Sequence, residues 1–284
     1  MSRCWIRELF KKAPYPRYYA IQIRSKICDQ EEYKIVKPEP VHTTCISQVK
    51  ALHDRDTHPV SHVIMDLDGV ILDSIQYNAI SHEDYLMKWR KHLKNKTKYQ
   101  ILGLRNVDAG KIVTDEYELP FGPEVYAHGV WQIQRDLYRG AKIVKGIDDI
   151  VCYFLQNKMP IALISSAHTK AFKILYSKLH GFEKNFCHVV HADEVVDGKP
   201  KPEILIKAAR MFYDGPRSLS KYLVIDSSYQ GALAAKAAGM QVILCTDSQM
   251  PEDMRAAANV VLYDMAQFDP TEFHLPEKKV KKRK

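Results

Sequence analysis

From residue 62 onward the chain repeats one pattern: a short apolar run that ends on a polar side chain, followed by a stretch with helical spacing. The runs are His62–Asp66, Ile161–Ile164 followed by Ser165 and Ser166, His188–His191, Tyr222–Ile225 followed by Asp226, and Gln241–Cys245. Helical spacing covers 148–157, 168–180, 202–212 and 229–238, the last closed by Gly239 as a C-cap. Runs that are apolar throughout, rather than alternating, fit strands covered on both faces. Strands alternating with helices imply a parallel sheet with right-handed crossovers.

Residues 77–142 break this rhythm. They contain no strand-like run, but helical segments near 79–94, 106–115 and 122–138, with loops punctuated by Gly110, Pro120, Gly122 and Pro123. The expected fold class is therefore α/β, a Rossmann-like parallel sheet with helices on both faces plus an inserted all-helical cap. The expected division is an N-terminal extension over 1–60, partly disordered, a core of 61–76 with 143–270, a cap over 77–142, and a basic tail over 271–284.

Charge is concentrated at the ends. The first 28 residues carry seven basic side chains against Glu8, and 278–284 carry six, so of the net +8 nothing positive is left for the middle. A slightly acidic globule with basic ends is not a nucleic-acid-binding face, and nucleic acid is not an expected partner. The ends read as solvated tails, with two sharper alternatives: a nuclear-import or anion-binding tail at 278–284 and a mitochondrial presequence at 1–28. No apolar run approaches the roughly 20 residues needed to span a bilayer. Six cysteines are scattered without CxxC or zinc spacing, Cys152 and Cys245 lying in apolar runs as expected core thiols. This pattern suggests a reducing compartment, and the cytoplasm is the expected location.

In a parallel sheet, functional groups gather at the carboxyl ends of strands. Asp66 and Asp68 are spaced to turn toward one face as the first strand ends, and Gly69 permits a sharp turn after them. Two carboxylates in different environments can divide labour as nucleophile and general acid/base. Ser165 and Ser166 close the second strand, and Asp197-Gly-Lys-Pro-Lys-Pro202 presents Lys199 from a proline-stiffened turn that opens a helix. A positioned ammonium neutralises charge on a transferring phosphoryl group. Taken singly, each has an ordinary reading: two solvated aspartates, a helix cap, an exposed lysine.

Taken together and in this order, the elements resemble the haloacid dehalogenase superfamily over about 62–262. The wording His62-Val-Ile-Met-Asp-Leu-Asp-Gly-Val-Ile-Leu-Asp-Ser74, Gly198-Lys-Pro-Lys-Pro-Glu203 and Ala234-Ala-Lys-Ala-Ala-Gly-Met-Gln-Val242 is similar to its pseudouridine-5'-phosphatase and β-phosphoglucomutase-like branch. The resemblance implies Asp66 as the nucleophile that forms an aspartyl-phosphate, and Asp68 as acid/base. It also implies Mg²⁺ on the Asp66 carboxylate and the Asp68 carbonyl, phosphate on Ser165, Ser166 and Lys199, and cap specificity at Gly103 and Arg105. Another cap residue, Trp131, reads equally as surface or core.

The fourth strand end departs from that pattern. Where relatives place a metal-binding carboxylate the chain has Ser227, one residue after Asp226, and a second acidic position found in some relatives is Gly231. Asp226 would have to swing in, or Ser227 hold a metal-bound water, so weaker Mg²⁺ binding and reduced turnover are expected. Two functions follow as expectations: a phosphatase for a small phosphomonoester, such as a nucleotide-like 5'-monophosphate, or an impaired paralogue that binds a phosphorylated ligand or a protein.

Overall fold

The computed structural model describes residues 57–277. The expectations for 1–56 and 278–284, including both targeting alternatives, fall outside the described residues.

Six strands, β1 (His62–Asp66), β2 (Ile161–Ser165), β3 (Val189–His191), β4 (Tyr222–Asp226), β5 (Gln241–Cys245) and β6 (Val260–Leu262), form one parallel sheet in the order β3-β2-β1-β4-β5-β6. Five of them coincide with the apolar runs. The sixth, Val-Val-Leu, is three residues long and has no punctuation that marks it in sequence. The α/β expectation holds, and the reason the runs do not alternate is visible in the core. Val63, Met65, Leu163, Leu223, Ile225 and Ile243 face one buried cluster, while Ile64, Ala162, Ile164, Val224, Val242 and Leu244 face another. The pleat sends alternate side chains to opposite faces, and both faces are covered.

Between β1 and β2 lie α1 (Ser74–Met87), α2 (Asn95–Ile101), α3 (Asn106–Glu116), α4 (Pro123–Leu137) and then α5 (Ile147–Gln156). The first four share a separate small core of Leu86, Ile101, Leu104, Ala109, Val113, Tyr126 and Val130. Helix α1 stops at Met87 rather than 94, and α2 lies where no helix was expected. α5 and α6 (Thr169–Tyr176) cover one face of the sheet; α7 (Glu203–Met211) and α8 (Tyr229–Ala238) cover the other. Gly239 closes α8 at φ 72°, as its position predicts. A short α9 (Glu252–Arg255) precedes β6.

The packed region extends past both expected ends. His58 N–H donates to Gln241 Oε1 at 2.8 Å, Phe273 is fully buried in the core, and Tyr153 donates its hydroxyl to the Pro276 carbonyl at 2.6 Å. Residues 271–276, expected in the tail, thus pack against the core, with the Phe273 ring buried in its apolar cluster. Cys152 and Cys245 are half-buried, and Cys245 packs against the main core cluster.

Candidate active site

The strand order reverses between β1 and β4, and the crevice outside their carboxyl ends is where an open α/β sheet binds ligands. Asp66 and Asp226 end these two strands. Between them lies Lys199, its Nζ 3.2 Å from Asp66 Oδ1 and 2.6 Å from Asp226 Oδ2, with all three side chains almost wholly buried. Burial works against the lysine's charge, but Asp226 and Asp66 outweigh it and hold the ammonium above its ordinary pKa. Burial, then the charge of Asp226, pushes Asp66 well above the usual carboxylate range, against the pull of Lys199.

Asp226 is fully engaged. Its second oxygen accepts the Ser228 N–H at 2.9 Å and the Ser228 hydroxyl at 2.7 Å. A methyl at Gly231 would lie 2.0 Å from its Cγ, so the absent side chain at 231 is what leaves the carboxylate room. Asp226 therefore faces Lys199 and the start of α8. Gly231→Ala is expected to cost about 1–3 kcal/mol through overpacking, read as a lower urea midpoint with an unchanged slope.

Asp68 is held by two hydroxyls, Ser74 on Oδ1 at 2.6 Å and Ser165 on Oδ2 at 3.1 Å. Burial raises its pKa, and these two hydrogen bonds partly offset the rise. Ser165 is completely buried and meets Asp68, while Ser166 lines the open cavity. The Ser227 hydroxyl donates to the Asp68 main-chain oxygen at 2.7 Å, the carbonyl expected on Mg²⁺. Gly69, at φ +79°, brings this loop so close that a Cβ would lie 2.4 Å from Ser227 Oγ.

Above these groups a cavity of about 460 Å³ opens beneath the helical insertion, with Asp66, Asp68 and Ser166 in its lining. Trp131 and His168 meet edge-on at its wall, ring centroids 4.5 Å apart, and Asn106 and Gln134 exchange side-chain hydrogen bonds beside them. Trp131 thus belongs to the cavity. Gly103 and Arg105 line it too, and both also reach residues of the sheet domain: a Cβ at Gly103 would strike Ser228, and Arg105 bonds to the Val196 carbonyl. Asn106, Gln134 and His168 carry no sequence signal, being polar residues within or beside helices that only the docked insertion turns inward. Among the described residues no cluster of three or more His, Cys, Asp or Glu could cage a metal, and no helix is long and apolar enough to cross a membrane.

Comparisons with known proteins agree with this architecture. The profile described as haloacid dehalogenase-like hydrolase matches residues 63–245. A Drosophila melanogaster protein named a probable pseudouridine-5'-phosphatase is 30% identical over 220 residues, covering 76% of this chain and 95% of its own. The mitochondrial (DL)-glycerol-3-phosphatase 1 of Arabidopsis thaliana is 26% identical, covering 92% and 87%. The crystal structure of β-phosphoglucomutase from Clostridium difficile superposes with a TM-score of 0.62 at 18% identity, covering 76% of this chain and 97% of its own. With a profile match across most of its length and the Asp66 strand end at the sheet's reversal point, the chain belongs to the haloacid dehalogenase-like hydrolase family.

Proposed function

We propose that the chain is a phosphomonoester phosphatase acting on a small phosphorylated metabolite. The observation that carries this reading is a buried carboxylate, Asp66, placed against the Lys199 ammonium at the floor of a cavity that Asp68 also lines. Asp66 attacks phosphorus in line with the ester oxygen and forms an aspartyl-phosphate. Asp68, whose raised pKa favours carrying a proton, gives that proton to the leaving oxygen and then takes one from the attacking water. Ser165 and Ser74 hold Asp68 in place for both transfers. Ser166 lines the cavity where the phosphoryl oxygens would lie, and Lys199 offsets their charge from behind Asp66.

A divalent cation fits this floor weakly. Asp66 Oδ1 is a buried oxygen whose neighbour is the Lys199 ammonium at 3.2 Å, and with the Asp68 carbonyl and the Ser227 hydroxyl the Asp66 carboxylate would make a set with one carboxylate. That is the low end of what Mg²⁺ uses together with water and substrate phosphate. Bound there, Mg²⁺ would offset the charge of Asp66 and of the phosphoryl oxygens. Ser227→Asp is expected to lower the Mg²⁺ concentration for half-maximal phosphate release by about tenfold or more, as gaining a shell contact should. A wild type already saturated at sub-millimolar Mg²⁺, with no shift in the variant, would contradict this.

The cavity's aromatic wall and paired carboxamides support a ring-bearing, hydroxylated leaving group such as a nucleotide-like 5'-monophosphate. A panel of nucleoside, sugar and glycerol phosphates, assayed with Mg²⁺ beside Asp66→Asn, tests the proposal. Release of phosphate from none of them, or equal release by the variant, would overturn it.

A further inference from the structure

Arg105 lies at the join between α2 and α3 of the helical insertion, 91 residues from the core loop it touches. Its Nη1 donates to the Val196 carbonyl at 2.9 Å, and its Nε donates to Asp108 Oδ2 at 2.7 Å. Lys111 holds the other oxygen of Asp108 at 3.0 Å, so the guanidinium is fixed from its own helix before it reaches across. It lies directly over Gly198, where a Cβ would meet Nε at 2.8 Å. The opposite edge of the same loop is held by Glu203, whose carboxylate accepts the Val196 and Asp197 N–H groups at 3.2 and 2.7 Å. Lys199 directly follows Gly198 and is delivered between Asp66 and Asp226.

We propose that Arg105 is a positioning residue that couples docking of the helical insertion to the placement of Lys199. Glu203 secures the loop from the core side whether or not the insertion is docked. Arg105 secures it only when the insertion is down. A guanidinium suits the task because its rigid planar fork presents separate N–H groups to the carboxylate and the carbonyl in one fixed geometry, where a lysine offers a single flexible point charge. Arg105 thereby acts on catalysis through Lys199 rather than by reading substrate, and that catalytic consequence rests on the phosphatase reading above.

Three readouts on the full chain test this. Amide exchange of the 195–199 loop is expected to rise roughly tenfold or more in both Arg105→Ala and Arg105→Lys, the loss of one charge-assisted hydrogen bond. Gly198→Ala, at a glycine whose φ is not positive, is expected to lower the melting temperature of the wild type but not of Arg105→Ala, because its collision partner is gone. With p-nitrophenyl phosphate, kcat of Arg105→Ala is expected to fall on the order of 10²-fold with KM little changed, as displaced catalytic groups do. Unchanged loop exchange, equal cost of Gly198→Ala in both backgrounds, or a rise in KM alone would overturn the proposal. If even the wild type fails to hydrolyse the ester, the phosphatase reading fails, and the exchange and melting data still decide whether Arg105 holds the loop.

Discussion

Lys199→Met is expected to abolish phosphate release and to lower folding stability by about 3–5 kcal/mol, the cost of breaking a buried ion pair from one side. The lysine is sealed between Asp66 and Asp226, and its removal leaves two carboxylates facing each other without a cation. Methionine keeps most of the volume, so the loss measures charge rather than a cavity. The deficit should depend on pH with a definite sign. In the variant Asp66, already raised by burial and by the charge of Asp226, loses the lysine that pulls it down and stays protonated in the fold above the pH at which the unfolded chain ionises it. Folding then takes up protons, and stability falls as pH rises from about 4 toward neutrality. Urea titrations at pH 5 and pH 7 check this. Adding Asp226→Asn to the variant should recover part of the loss, since one uncompensated charge is gone.

Asp66→Asn is expected to reduce phosphate release by on the order of 10³-fold or more, as loss of a nucleophile does, while the fold stays intact or gains stability. The stability half follows from the neighbourhood. One ammonium serves two buried carboxylates with Asp68 nearby, and burial and Asp226 both oppose ionisation of Asp66. A group whose pKa is raised on folding lowers stability above its unfolded pKa, so the neutral asparagine removes a penalty present at pH 7 and absent near pH 4. A higher melting temperature at pH 7 than at pH 4, relative to wild type, is the expected record. A large drop at both would mean that Asp66 serves chiefly to hold Lys199.

How much of this was legible in the sequence depends on range. The strands were plain where an apolar run of four or five residues ended on a polar side chain, as at Asp66 and Asp226. Val260–Leu262 was too short to show, and α2 buries only Thr97, Tyr99 and Ile101, too few for a periodic signal. The candidate acid pair could be found because both members sit on one strand end. Its surroundings could not, because they join distant segments: Ser227 meets the Asp68 carbonyl across 159 residues, and Ser165 meets the Asp68 carboxylate across 97. Gly231 looked like a missing acidic ligand, whereas its lack of a side chain makes room for Asp226. Lys199 stood out as a cation, but nothing local said that it would be buried between two carboxylates. Arg105 drew notice as a specificity residue, and only the docked insertion shows it gripping the loop that carries Lys199.

The most direct test of Asp66 as phosphoryl acceptor is a rapid acid quench during turnover of a good ester substrate, followed by borohydride reduction and peptide mass mapping. The account predicts homoserine at position 66 in the β1 peptide, formed only with substrate present and absent in Asp68→Asn treated without it. Turnover that leaves position 66 unmodified, or a reduced acyl-phosphate at Asp68 or Asp226 instead, would contradict it.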